Sequence, residues 1–100
     1  MIFTASHESY ARSILSCLCQ NDDLYDHCFF RDKCSLVNGR INVKNLDIFK
    51  DRKLKDVLII DNHLYSFSYQ LNNGLPILPF YSNKKDYQLQ ELCDFLVHIK

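Results

Sequence analysis

Four polar stations in the sequence close short apolar runs: Thr4 after Ile2-Phe3, Arg31 after Cys28-Phe29-Phe30, Lys44 after Ile41-Asn42-Val43, and Asp61-Asn62 after Val57-Leu58-Ile59-Ile60. A hydroxyl, two cations and a carboxylate–amide pair are the groups a phosphoryl-transfer site needs. Hydroxyl and ammonium groups stabilise phosphate oxygens, and oxygen-bearing side chains hold magnesium. Polar residues at the ends of apolar runs also start turns, so the placement of these runs decides whether the stations meet.

The run Val57–Ile60, led in by Lys55-Asp56, is continuous and branched, which suits a strand buried on both faces in a parallel sheet. In open α/β sheets the ligand crevice lies beyond the carboxyl ends of the strands, where Asp61 and Asn62 would stand. Ile2-Phe3 is expected to be a second strand and Cys28-Phe29-Phe30 a third. From Glu8 to about Cys19, Tyr10, Ala11, Ile14, Leu15 and Leu18 recur at three- and four-residue spacing, predicting an amphipathic helix with Ser6 as N-cap and a break at Asn21-Asp22-Asp23. Cys34–Val37 and Arg40–Val43 flank Asn38-Gly39, a strong hairpin signal because both turn residues tolerate positive φ. One helical turn is expected at Leu46–Phe49, and Lys50–Lys53 is a solvated charge cluster. Leu64–Asn73 is expected to be a loop packing through Tyr65, Phe67 and Tyr69, with a turn at Asn73-Gly74. Pro76–Pro79 can form only a short edge strand. Leu89, Leu92, Cys93, Phe95, Leu96 and Ile99 predict a last amphipathic helix over 87–99. Strands alternating with helices indicate α/β, and 100 residues allow a single domain.

Hydrophobic residues at 47%, charged residues at 24% and a net charge of zero are ordinary globular values and give no electrostatic reason for direct contact with nucleic acid or an anionic membrane. The chain contains no signal-peptide pattern and no run long enough to span a bilayer. Five cysteines, odd in number and irregularly spaced, fit reduced thiols in a nuclear or cytoplasmic setting. Cys17 and Cys19 lie two apart on a predicted helix and face different sides, which argues against a zinc site with Cys28, Cys34 and His27.

Phe3-Thr4-Ala5-Ser6, Tyr10-Ala11, Phe30-Arg31-Asp32-Lys33-Cys34, Val43-Lys44-Asn45-Leu46 and Val57–Asn62 closely resemble the small C-terminal-domain phosphatases of the haloacid dehalogenase superfamily, which carry the FCP1 homology domain. The resemblance continues through Ser66-Phe67, Gln70, Asn73–Ile77 and Asp86 with the last helix, so that residues 1–100 resemble one partial domain of this kind. It implies a three-layer parallel α/β fold with helices on both faces and a small β-hairpin insertion. The implied activity is magnesium-dependent dephosphorylation of phosphoserine or phosphothreonine, for example in peptides like the RNA polymerase II C-terminal domain, through an aspartyl-phosphate. By the same resemblance Thr4 would bind the phosphate, Lys44 would neutralise it, Asp61 would order Lys44 or a metal-bound water, Asn62 would hold magnesium, and Tyr10 and Arg31 would lie on the substrate side. The partner would be a phosphoprotein or phosphopeptide.

One departure is large. The family's nucleophile and general acid stand in an Asp-x-Asp-x-Thr motif on the first, central strand, upstream of the threonine that Thr4 matches, and these residues contain no such motif. Asp22-Asp23 and Asp47 have the wrong spacing. The expectation is therefore a fragment of a phosphatase that is inactive and unstable alone. The alternative is a non-catalytic phosphopeptide-binding or scaffold module, including a relative of the mitochondrial inner-membrane import receptor. Smaller departures are His63, where the family has serine, and Leu64 and Leu71, where proline is common.

Overall fold

The computed structural model describes residues 1–19 and 24–99, so the expected break at Asn21–Asp23 lies outside the described residues. The chain is a mixed α/β structure with three small ladders. Strand β1 (Ile2–Phe3) runs parallel to β2 (Cys28–Phe29), β3 (Ser35–Val37) runs antiparallel to β4 (Ile41–Val43), and β5 (Ile59–Asp61) runs parallel to β6 (Gly74–Pro76). Helices α1 (Glu8–Leu18) and α2 (Gln88–His98) complete the order. The strands of the two parallel ladders are two or three residues long, and among the described residues β1 pairs only with β2 and β5 only with β6. The expected three-layer sheet is thus represented by separate ladders.

Local chemistry explains most elements. Helix α1 follows the predicted apolar spacing and carries Glu8 in its first turn, where a carboxylate meets the positive end of the helix dipole. Arg12 reaches back to Glu8 (2.7 Å) and also lies 5.0 Å over the Phe30 ring, fastening the helix to the end of β2. Its N-cap is His7 rather than the expected Ser6, and the His7 side chain makes no capping bond. The β3–β4 turn has Asn38 at φ 54° and Gly39 at φ 68°, the double positive φ that a two-residue turn matched to strand twist requires.

The core is small. Leu46, Ile59 and Phe67 are buried against one another with Phe49 and Val57 packed at the margin. Phe49 also stands edge-on to Phe3 and Phe29, with ring centroids 6.3 and 5.1 Å away, so one ring joins the β1–β2 ladder to this core.

Four expectations need correction. Strand β5 is not buried on both faces: Ile59 and Asp61 are buried, whereas Leu58 is 49% and Ile60 38% exposed, because no described element covers that face. Leu64–Asn73 is not a loop but 3-10 helix with a kink, and of its aromatic residues only Phe67 is buried. Asn73-Gly74 is not a turn, since Gly74 has an extended φ of −99° and opens β6. Pro76 therefore ends the strand instead of beginning it, and Ile77 N donates to Asp61 O (3.1 Å) one step beyond.

Gly74 is required for close approach rather than for a turn. A Cβ placed there would lie 1.9 Å from Phe67 Cδ2. In the full-length protein Gly74→Ala is expected to cost about 2–3 kcal/mol by overpacking, measured by urea denaturation. Phe67→Leu in the same chain should recover part of that loss, and strictly additive effects would contradict the proposed contact.

Candidate active site

Lys44 follows β4 and Asp61 ends β5, and the fold brings these residues, 17 apart in sequence, into an ion pair between Lys44 Nζ and Asp61 Oδ2. The pair is nearly closed to solvent, with side-chain exposures of 13% and 6%. Backbone bonds fix both partners. Lys44 N donates to Ser66 O (2.7 Å), and the second carboxylate oxygen, Asp61 Oδ1, accepts from His63 N (3.0 Å). The flank of Lys44 is held by side-chain amides: Leu46 N donates to Gln70 Oε1 (3.0 Å), and Gln70 Nε2 donates to Asn45 Oδ1 (2.8 Å). Asn73 Nδ2 donates to the carbonyls of Leu54 (2.5 Å) and Val57 (2.9 Å), steadying the approach to β5.

Lys44, Asp61 and Asn62 line one cleft of about 370 Å³ with Ala5, Arg40 and Asn42. The cleft lies at the carboxyl end of β5, where α/β sheets bind ligands. Thr4 and Tyr10 are not in it. They line a separate hollow of about 170 Å³ with Ile2 and Ser6, and Thr4 Oγ1 accepts from Ser6 N (3.1 Å). Arg31 stands between the two regions, its Nε donating to Ala5 O (2.5 Å) on the cleft wall. Of the six residues singled out in the sequence, three are therefore gathered in one cleft, one is bonded to its wall and two lie next door.

Residues that sequence reasoning passed over also line the cleft. Arg40 follows the Asn38-Gly39 turn and adds a second cation; the hairpin pattern was visible, but not that its turn faces Asp61. Outside the cleft, Cys34, weighed above only as a zinc ligand, donates weakly to Thr4 O (3.9 Å). Burial pushes its thiol above the usual range, against the opposing pull of Lys44 and Arg31.

As a magnesium site these residues are a partial fit. Both oxygens of Asp61 are engaged by Lys44 and His63 N, which leaves neutral oxygen donors such as the exposed Asn62 amide and that of Asn42 along the cleft. Among the described residues no three His, Cys, Asp or Glu side chains converge as a metal-binding group. Asn62 can supply one ligand, and the carboxylates that magnesium favours must come from other residues.

The chain belongs to the NLI interacting factor-like phosphatase family, whose family model matches residues 1–100. It is 38% identical over 96 residues to CTD small phosphatase-like protein 2 of Dictyostelium discoideum, an alignment covering 96% of this chain and 16% of that protein. CTD small phosphatase-like protein 3 of Caenorhabditis elegans is likewise 38% identical over 96 residues, with coverage of 96% and 33%. CTD nuclear envelope phosphatase 1B of Danio rerio is 29% identical over 96 residues, with coverage of 96% and 38%. The chain thus spans between 16% and 38% of the length of these relatives. No helix among the described residues is long and apolar enough to cross a membrane.

Proposed function

We propose that these residues form part of the catalytic domain of a magnesium-dependent protein serine/threonine phosphatase that acts on phosphoproteins in the nucleus or cytoplasm. The observation that carries this reading is the Lys44–Asp61 pair beside Asn62 at the carboxyl end of β5, in a cleft that also holds Arg40. Two cations facing one cleft suit a phosphate dianion, and an ammonium kept in place by a buried carboxylate is preorganised for it.

The chemistry divides between this chain and a nucleophile supplied elsewhere in a longer protein. An aspartate oxygen attacks phosphorus, the bond from phosphorus to the serine or threonine oxygen breaks, and the departing oxygen takes a proton from a second carboxylic acid. Water then cleaves the aspartyl-phosphate, releasing inorganic phosphate and restoring the aspartate. Throughout, Lys44 offsets charge on the transferred group and Asp61 keeps the Lys44 ammonium aimed. Asn62 would hold a magnesium ion in part, and the chemistry that ion would supply is to spread negative charge on the transferred group. Thr4, in the hollow next to the cleft, accepts from Ser6 N through its oxygen and keeps its own hydroxyl proton to donate to phosphate. Tyr10 and Arg31 contact the substrate away from phosphorus. Asp47 is exposed in the 3-10 turn Leu46–Ile48 and takes no part.

The test is phosphate release from a phosphoserine peptide by the full-length product of the transcript, after the codons upstream of Met1 have been sequenced. Expected are an Asp-x-Asp-x-Thr motif following an apolar strand, and magnesium-dependent release. Peptide binding without release from a product lacking that motif would overturn the enzyme in favour of a binding module.

A further inference from the structure

Arg31 is anchored more firmly than a surface arginine needs to be. Its backbone N donates to Ser6 O (3.0 Å), its Nε donates to Ala5 O (2.5 Å), and its Nη1 lies 3.0 Å from His7 Nε2. A guanidinium has only donors, so this last contact is a hydrogen bond only if His7 Nε2 accepts, with the imidazole neutral and its proton on Nδ1. His7 occupies the N-cap of α1 in extended conformation (φ −66°, ψ 150°), the position where Ser, Asp or Asn would bond the first helical N–H groups. Its ring makes no such bond and turns instead to an arginine 24 residues away. Ala5, the other acceptor, lines the Lys44–Asp61 cleft, so the two bonds fix the guanidinium at the cleft's rim.

From this geometry we infer that His7 is a positioning residue for Arg31: it holds the guanidinium against the cleft wall with Nη2 turned to an anionic substrate. The inference rests on the reading of the cleft as a phosphopeptide site. Its physical content is preorganisation. An exposed arginine samples many rotamers and loses that freedom on binding, whereas one already bonded at Nε and Nη1 loses little. His7 therefore acts on substrate affinity and not on the chemical step. Since both side chains are exposed, its removal leaves the fold unchanged.

The experiment compares wild type, Arg31→Ala, His7→Ala, His7→Gln and the Arg31→Ala/His7→Ala double variant of the full-length protein. Binding of a peptide carrying a non-hydrolysable phosphonate in place of phosphoserine is read by fluorescence anisotropy, beside KM and kcat for the phosphopeptide. Expected is a five- to tenfold weaker Kd and higher KM in His7→Ala, the scale of one hydrogen bond, with kcat unchanged. His7→Gln, whose amide oxygen can accept from Nη1, should recover most of it. The double variant should bind no more weakly than Arg31→Ala. Additive losses, a His7→Ala variant that binds like wild type, or an Arg31→Ala variant without effect would each overturn the inference while leaving the phosphatase reading standing. Failure of the wild-type protein both to bind the analogue and to release phosphate would overturn that reading and the inference with it.

Discussion

Lys44→Met in the full-length protein is expected to lower stability by about 3–5 kcal/mol and phosphate release by at least 10²–10³-fold. The two losses have different causes. Asp61 is 7% exposed, so removing the ammonium strands a carboxylate where water cannot replace its partner, and the cost is that of an uncompensated buried charge. The catalytic loss comes from the missing cation at the developing charge. The double variant Lys44→Met/Asp61→Leu separates them. Replacing both members of a buried pair by apolar groups is often neutral for stability, because the desolvation cost of each ion vanishes with the ion. His63 N, which loses its acceptor, belongs to an exposed residue and can turn to water. The double variant should therefore unfold within about 1 kcal/mol of the wild type yet remain inactive, as measured by urea denaturation and phosphate release. An active double variant would remove Lys44 from the chemistry. A stable Lys44→Met single variant would show that the pair is solvated in solution.

How much of this was legible depends on the range of the interactions. Helix α1, the Asn38-Gly39 hairpin and the short turn after Asn45 follow from local rules, and each was placed within a residue or two. What depends on distant packing was not legible. The run Val57–Ile60 has the composition of a strand buried on both faces, but composition states a preference and only neighbours fulfil it. Here Leu58 and Ile60 are only partly covered by the described residues. Gly74 carries a turn signal next to Asn73, yet its actual constraint is the ring of Phe67, seven residues earlier and itself placed by a 3-10 segment with no clear period. In the site, the closeness of Lys44 and Asp61 could be expected only through resemblance to a family, since nothing in a spacing of 17 residues brings them together. The bond from Arg31 to His7 had no local signal, because a histidine before a helix is ordinarily read as a poor cap and nothing more.

The 100 residues on their own are expected to show no cooperative thermal transition. Their accessible surface is 8081 Å², whereas a folded monomer of 11.8 kDa exposes about 5,900 Å². The Cα radius of gyration, 14.3 Å, likewise exceeds the roughly 13 Å of a compact chain of this length. The excess surface is about 2,200 Å². Leu58 and Ile60 stand partly exposed on one face of β5, β1 is paired on one side only among the described residues, and two-stranded ladders are marginal in water. Among the described residues Phe49 links the β1–β2 ladder to the core beside β5 through its ring, a small contact for making them one cooperative unit. Circular dichroism of the purified 100-residue chain should therefore show a broad, shallow loss of signal on heating, with strong binding of a hydrophobic dye at 25 °C. The same residues within a longer product bearing an Asp-x-Asp-x-Thr strand should melt sharply. A sharp transition in the short chain, independent of its concentration, would mean that these ladders already form a complete core.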